Sequence, residues 1–357
     1  MWLPAPGPHR RRTMARKRKT VDLDRENDIA PGLVAKTKKR LVVASGRSHP
    51  TLSVDVADSL GTQLVPTEYR TFASGEILTR FEVSIRGCDF FLIQTFGPPV
   101  NEWLMETLIM LDAAKRASAK RITVVAPYYP YSRQDKKGRG REPISARLVA
   151  DLLKTAGADR VMSVDLHAAQ IQGFFDGPVD HLFAKPVLLE YFERTLSADD
   201  RARLTVVSPD TGRVRVADTW SDSLGAPLAI IHKRRDPNVA NQVTVNEIVG
   251  QVDRRVCLLV DDMIDTGGTI VKAAEALKAN GATKVIVAAT HAIFSDPAAQ
   301  KLQSPAIDEV VVTDTIPVPD EKRFPSLTIL PIAPLLARAI HEVFEDGSVT
   351  SMFDGAA

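Results

Sequence analysis

Cysteine is scarce in this chain: two residues in 357, with seven histidines, three tryptophans and 6% aromatics. Cys88 and Cys257 stand far apart, each beside an apolar run and without the paired spacing of a metal knuckle. They are expected to be buried small hydrophobes, and a disulfide-framed secreted scaffold is excluded. That usage suits a reducing compartment, so a cytoplasmic location is expected. No apolar run reaches the roughly 18 residues that a membrane-spanning helix needs. Net charge is also small, +2, but it hides an asymmetry. Residues 1–40 hold 12 Lys and Arg against 4 Asp and Glu; the remainder holds 34 against 40. The head has prolines, a basic cluster and no apolar periodicity, and it lacks the apolar core of a signal peptide. It is expected to be a disordered basic extension, 1–40, with Met14 as an alternative start. A nucleic-acid contact through Arg10–Arg12 and Arg16–Lys19 is the alternative to a solvated tail.

What the chain has in quantity is short apolar strands. Candidates lie at 41–45, 89–94, 121–126, 161–164, 204–208, 228–232, 256–260, 284–289 and 309–313. Each is rich in Val, Ile and Leu with few polar interruptions, as strands buried on both faces are in parallel sheets. Amphipathic helices at 101–118, 144–156 and 268–280 separate them, which argues for an α/β architecture. The chain also repeats itself loosely. Helix, RITVVAPYY, helix and ADRVMSVDL in the first half answer helix, KVIVAATHAIF, helix and IDEVVVTDT in the second. Two copies of one α/β module are expected, over 41–184 and 185–332, with the boundary near Phe183–Pro186. A closing helix at 333–345, within 333–357, is expected to pack back on the modules, the first being favoured.

The sharpest chemical signal is VDDMIDTGGT at 260–269. An apolar strand delivers the carboxylates Asp261 and Asp262. The turn Asp265-Thr266-Gly267-Gly268-Thr269 then opens a helix. Glycines let backbone N–H groups crowd an anion, and the helix dipole adds partial positive charge. That is a monophosphate cradle, with carboxylates placed for ribose hydroxyls or a Mg²⁺ shell. Three further segments extend it. Tyr128-Tyr129-Pro130-Tyr131-Ser132-Arg133-Gln134-Asp135 sets aromatics beside cations, which suits a purine and a polyphosphate. Val164-Asp165-Leu166-His167 and Ser208-Pro209-Asp210-Thr211-Gly212 place acids and an imidazole at strand ends, where α/β proteins bind ligands. Lys233-Arg234-Arg235, followed by the polar stretch 236–246, has the character of a cationic lid that can close on a phosphoryl group.

SVDLH at 163–167, AQIQGFF at 169–175, SPD at 208–210, KRR at 233–235 and VDDMIDTGGT, in this order, resemble bacterial-type ribose-phosphate diphosphokinases. The last motif alone also resembles the phosphoribosyl-diphosphate motif of type I phosphoribosyltransferases. The resemblance covers about 41–355. It implies two tandem phosphoribosyltransferase-type, Rossmann-like domains with parallel sheets and the active site between them. It implies ATP and ribose 5-phosphate as substrates, Mg²⁺ as cofactor, and a product that feeds nucleotide, histidine and tryptophan biosynthesis. By the same resemblance Asp261, Asp265, Thr266, Gly267, Gly268, Thr269 and Arg235 would hold ribose 5-phosphate. Asp210, Thr211, Gly212 and Arg213 would form the diphosphate loop, and His167 and Asp210 would hold the metal. Arg133, Gln134 and Asp135 would meet ATP, joined by Phe72, Ser74, Gly75 and Glu76 of a neighbouring subunit. Lys233 and Arg235 would be catalytic. A homohexamer regulated by phosphate and ADP is implied, with Ser348–Phe353 matching a phosphate-site loop.

Two positions depart from many relatives, which have Asp in place of Ser74 and a second Gly in place of Arg213. If position 213 needs φ > 0, Arg there costs about 1 kcal/mol or more; alternatively it adds a cation beside the diphosphate. Rival readings are a phosphoribosyltransferase, which needs neither the 133–135 segment nor the lid, and a non-catalytic regulatory subunit, which would lose residues that all stand here. A nucleic-acid binder resting on the head alone is a third.

Overall fold

The computed structural model describes residues 39–234 and 245–353; most of the basic extension, the stretch 235–244 and the last four residues lie outside the described residues. From Lys39 onward the chain is one compact unit. Lys39 donates to Phe344 O at 2.9 Å and pairs with Asp346, while Arg40 Nη2 donates to Ser84 O at 2.7 Å.

The first half runs β1 (Leu41–Ser45), α1 (Pro50–Ser59), β2 (Thr67–Thr71), β3 (Ile77–Phe81), β4 (Asp89–Ile93), α2 (Val100–Arg116), β5 (Arg121–Ala126), α3 (Ser145–Ala156), β6 (Arg160–Val164), β7 (Val179–Leu182) and α4 (Lys185–Thr195). The second runs α5 (Ala198–Ala202), β8 (Leu204–Ser208), α6 (Val214–Leu224), β9 (Leu228–Arg234), β10 (Val245–Val249), β11 (Val256–Ile264), α7 (Gly268–Ala279), β12 (Lys284–Ala292), α8 (Ala298–Leu302), β13 (Glu309–Thr313), β14 (Leu327–Leu330) and α9 (Ala333–Phe344). Short 3₁₀ turns cover Ala169–Gly173 and Val349–Phe353.

The strands form two main sheets. One has the order β1-β4-β5-β6-β7 and is parallel throughout. The other has the order β10-β9-β8-β11-β12-β13-β14 and is parallel except for its antiparallel edge, β10 on β9. The expected α/β class with parallel sheets therefore holds, and so does the repeat: β1-β4-β5-β6-β7 answers β8-β11-β12-β13-β14 position for position. Strands such as β4 and β8 are buried at every residue, which is why their sequences are apolar without alternation.

One buried cluster links the sheets. It runs from Val43, Phe91 and Val125 through Leu188 and Phe192 of α4 and Leu336 and Ile340 of α9 to Val206, Leu258 and Ile286. Each such side chain contributes roughly 1.5–3 kcal/mol of burial. The closing helix α9 lays its apolar stripe, Leu336, Ala337 and Ile340, into this cluster and lies against α1.

The expected strands are all present, but others were not foreseen. The hairpin β2–β3 and the edge strands β7 and β14 are only partly buried, so their sequences mix polar with apolar residues and carry no continuous apolar run. The stretch 236–246 was expected to be a loop. Its last two residues, Val245 and Asn246, instead begin β10, where they pair with Arg234 and Lys233. Cys88 and Cys257 are free and buried, as expected.

Candidate active site

The loops that carry the predicted chemistry cluster where the strands of both sheets end. β11 is buried through Val260 and then carries Asp261 and Asp262, followed by buried Met263 and Ile264, to this edge. Asp265, Thr266 and Gly267 then turn into α7. Gly267 has φ 72, a left-handed conformation that glycine adopts without strain, and it is the N-cap of α7. No side chain caps this helix. The first N–H groups of α7 have no partner inside the helix, and Thr266 and Thr269 on either side of the glycine pair are exposed. A helix start of this kind takes a phosphate.

The acid pair is held from two directions. Asp262 Oδ2 lies 2.8 Å from His167 Nδ1, and its Oδ1 lies 2.5 Å from Arg213 Nη2. Arg213 Nε stands 3.4 Å from Asp261 Oδ1, and Arg213 Nη1 donates to His167 O at 3.1 Å. Arg213 Nη2 is also 2.6 Å from His167 Nδ1. That nitrogen donates to Asp262 if it carries the proton and accepts from Arg213 if it does not. Burial, with the Asp262 charge beside it, pushes the Asp261 carboxyl well above the usual range. Burial pushes Asp262 the same way, but the His167 hydrogen bond and the Arg213 charge outweigh it and hold that carboxyl below the usual range.

Asp210 organises its own loop. Its Oδ1 accepts from the N–H of Gly212 at 2.8 Å and of Arg213 at 3.1 Å, an Asx turn that starts α6, and Ser208 Oγ donates to its carbonyl at 2.7 Å. Arg213 has φ −104, so the strain considered for an arginine at this position is absent. Its guanidinium meets the acid pair and His167. Thr211 lies in the same loop and is exposed.

From the first sheet, Arg133 Nη1 pairs with Asp265 Oδ2 at 2.6 Å. Burial raises the Asp265 carboxyl, but Ser295 and Arg133 outweigh it, so the group stays ionised. Gln134 turns towards the start of α3, where its side chain accepts from Ser145 at 2.6 Å and its carbonyl from the Ala146 N–H at 3.2 Å. Asp135 is buried and takes a hydrogen bond from Gln170.

The structure does not bring the hairpin residues Phe72, Ser74, Gly75 and Glu76 to this cluster. Their bonds run within the β2–β3 turn: Phe72 N to Glu76 O at 2.9 Å, Gly75 N to Phe72 O at 2.8 Å, and Ser74 Oγ to Glu76 Oε2 at 3.0 Å. With α2 they line an open groove of about 850 Å³. Lys233 is placed as backbone on β9, opposite Asn246; its side chain, and Arg235 entirely, lie outside the described residues.

A buried polar seam behind the site was not anticipated. Asp165, whose φ is 39, accepts from Thr290 Oγ1 at 2.6 Å and from the Ala184 N–H at 3.0 Å, and burial pushes it up to about 6. His291 Nε2 lies 3.1 Å from Val164 O and 3.2 Å from Asp165 O, so it carries the ring proton, while Nδ1 lies 2.9 Å from Thr315 Oγ1. Burial lowers this imidazole to about 4. Thr95 Oγ1 donates to Thr315 O at 2.6 Å. The seam joins the ends of β4 and β6 to β12 and the turn after β13, and it fixes the turn that presents His167. The one hint in the sequence is the polar pair Thr290-His291 inside an otherwise apolar strand.

Two sheets whose strand ends meet around an acid pair, a glycine turn and an uncapped helix start define an α/β enzyme of sugar-phosphate and nucleotide chemistry. Comparison with known proteins is more specific. The profile of the N-terminal domain of ribose phosphate pyrophosphokinase matches residues 41–157, and that of the phosphoribosyl synthetase-associated domain matches 237–354. The chain is 61% identical to the ribose-phosphate pyrophosphokinases of Streptomyces avermitilis and Streptomyces coelicolor, over 90% of its own length and 99% of theirs. A crystal structure of phosphoribosylpyrophosphate synthetase from Mycobacterium smegmatis superposes with a TM-score of 0.81 at 57% identity, covering 87% of this chain and all of that one. The chain belongs to the ribose-phosphate pyrophosphokinase family.

Proposed function

We propose that the chain transfers the β,γ-diphosphoryl group of ATP to the anomeric hydroxyl of ribose 5-phosphate, giving phosphoribosyl diphosphate and AMP. The observation that carries this reading is the meeting of loops from both sheets, Arg133 on Asp265 and His167 on Asp262, beside the uncapped start of α7. The turn proposed as a phosphate cradle and the segment proposed to meet the polyphosphate are thereby adjacent. The N–H groups of Gly267, Gly268 and Thr269 and the hydroxyls of Thr266 and Thr269 would hold the 5-phosphate. Asp261 and Asp265 would take the ribose hydroxyls, which orients the anomeric oxygen for in-line attack. Asp210, Thr211, Gly212 and Arg213 would line the diphosphate. Arg133, Gln134 and Asp135 would face ATP, with Gln134 and Asp135 turned out of the contacts they make here. Lys233 and Arg235 would neutralise charge as the diphosphoryl group passes between oxygens.

Among the described residues no group of three or more His, Cys, Asp or Glu side chains could hold a metal ion. Mg²⁺ keeps several waters and takes other oxygens from phosphates, so it needs only one or two protein ligands. Asp210 and His167 would hold it, and when bound it supplies charge neutralisation on the diphosphoryl oxygens.

The hairpin residues, displaced from the cluster and partly exposed, are available to a neighbouring subunit's ATP, consistent with a homohexamer; Ser348–Phe353 is the candidate loop for phosphate or ADP regulation. The module limits 41–184, 185–332 and 333–357 belong to the same reading, as does a cytoplasmic location. Among the described residues no helix is long and apolar enough to cross a membrane.

The test is a ³¹P NMR time course with ATP, ribose 5-phosphate and Mg²⁺, with inorganic phosphate added as a candidate activator. AMP appearing together with an anomeric diphosphate supports the reading; ADP in its place would mean γ-phosphoryl transfer and would overturn it.

A further inference from the structure

Arg213 is not an ordinary surface cation. Its side chain is only 14% exposed, and its guanidinium reaches Asp261, Asp262 and the backbone and ring of His167 at once. Both oxygens of Asp262 are engaged, one by Arg213 and one by His167. Oδ1 of Asp261 is shared between Arg213 and the Asp262 N–H at 2.8 Å. Two neighbouring carboxylates in a buried place repel each other and lose solvation. Something must neutralise them: a proton, a cation from solvent, or a cation of the chain. A guanidinium does not lose its proton, and its planar fork matches carboxylate oxygens. The backbone at position 213 is unstrained, so the side chain is set by its partners and not by the loop.

We propose that Arg213 is the resident counter-cation of the Asp261–Asp262 pair: in the substrate-free protein its single positive charge offsets the one negative charge that the pair holds and ties the pair to His167, so that the pair recruits no divalent cation of its own. Arg213 is a positioning residue in this role, acting through the carboxylates. It presets the charge of the strand end before a sugar phosphate arrives. The inference rests on the proposed function only in naming the site's ligands.

The test is Mn²⁺ binding to the full chain without ATP or ribose 5-phosphate, read from the electron paramagnetic resonance signal of free Mn²⁺. Arg213→Gln removes the charge at similar size, and Arg213→Lys retains it. The expected result is Mn²⁺ binding about tenfold or more tighter in Arg213→Gln than in the unsubstituted protein, with Arg213→Lys nearer the latter. Equal affinity in all three, or an Arg213→Lys protein that binds as Arg213→Gln does, overturns the proposal. Should Arg213→Gln unfold without cations, recovery by Mn²⁺ but not by Na⁺ at equal ionic strength supports it, and no recovery overturns it. Because no substrate is present, this experiment and the AMP assay fail independently.

Discussion

Gly267 and Gly268 are neighbours in sequence, yet opposite outcomes are expected when each receives a methyl group. Gly267 has φ 72, and a Cβ there would find only ordinary contacts, the nearest being Leu302 Cγ at 3.5 Å. Its penalty is therefore backbone strain, about 1–2 kcal/mol for an L-residue held left-handed. Gly268 opens α7 without a positive φ, and its added Cβ would meet nothing closer than Lys301 Nζ at 3.9 Å. Alanine there should stabilise the free protein by about 0.5–1 kcal/mol, the usual advantage of Ala over Gly in a helix. For a chain of this size 1 kcal/mol moves the melting temperature by roughly 2 °C. Differential scanning fluorimetry without ligands should therefore place Gly267→Ala about 2–4 °C below the unsubstituted protein and Gly268→Ala about 1–2 °C above it. Relief of the strain in Gly267→Ala would swing the loop that presents the helix N–H groups, so KM for ribose 5-phosphate should rise about tenfold or more. Coincident melting curves for the two variants would refute the argument, because it assigns the difference wholly to φ.

Other perturbations give equally definite outcomes. Lys233→Ala should lower kcat about 10²-fold or more, the scale of losing one transition-state donor; an unchanged kcat removes Lys233 from the chemistry. Glu106 is fully buried and accepts from Arg47 N at 2.8 Å, Arg47 Nε at 2.5 Å and Gln94 Nε2 at 3.0 Å, so Glu106→Ala should cost about 3 kcal/mol in urea unfolding; a loss under about 1 kcal/mol would show that water replaces the carboxylate without penalty. Burial pushes Asp314 up to about 6, against the hydrogen bond it accepts from the Ile332 N–H at 2.7 Å. The folded protein thus holds this proton more tightly than the unfolded chain. Its contribution to stability is present below about pH 4 and is lost as pH rises through about 6, by up to about 3 kcal/mol. Asp314→Asn should therefore gain stability relative to the unsubstituted protein between pH 4 and 7, whereas a constant difference across that range would contradict the assignment.

The sequence announced those features that local chemistry dictates. Buried parallel strands need apolar runs, and a phosphate cradle needs glycines at a helix start, so β4, β8 and β11 and the turn 265–269 were legible. The half-exposed hairpin and edge strands were not, because exposure on one side leaves room for polar residues such as Glu68 or Asp180. The contacts of Arg213 and the seam around His291 were out of reach for another reason. Arg213 meets His167 across 46 positions, and His291 reaches Val164 and Asp165 across 127 and 126, and no spacing pattern encodes which acid a distant cation meets. Arg213 could be flagged as a departure; that it faces Asp261 and Asp262 is a fact of the fold.

The duplicated strand order leads to an unequal division of labour. In the first copy the position of the cradle falls after β4, at Gln94-Thr95-Phe96-Gly97-Pro98-Pro99. There Gln94 and Thr95 are buried, Thr95 is bonded to Thr315, and a Cβ on Gly97 would come within 2.7 Å of Ile316. Two prolines, which have no N–H to offer, lead into α2. What is proposed as a receptacle in one repeat is mortar in the other. The molecule should therefore saturate with one sugar phosphate per chain at its strand-end loops, for all its internal symmetry.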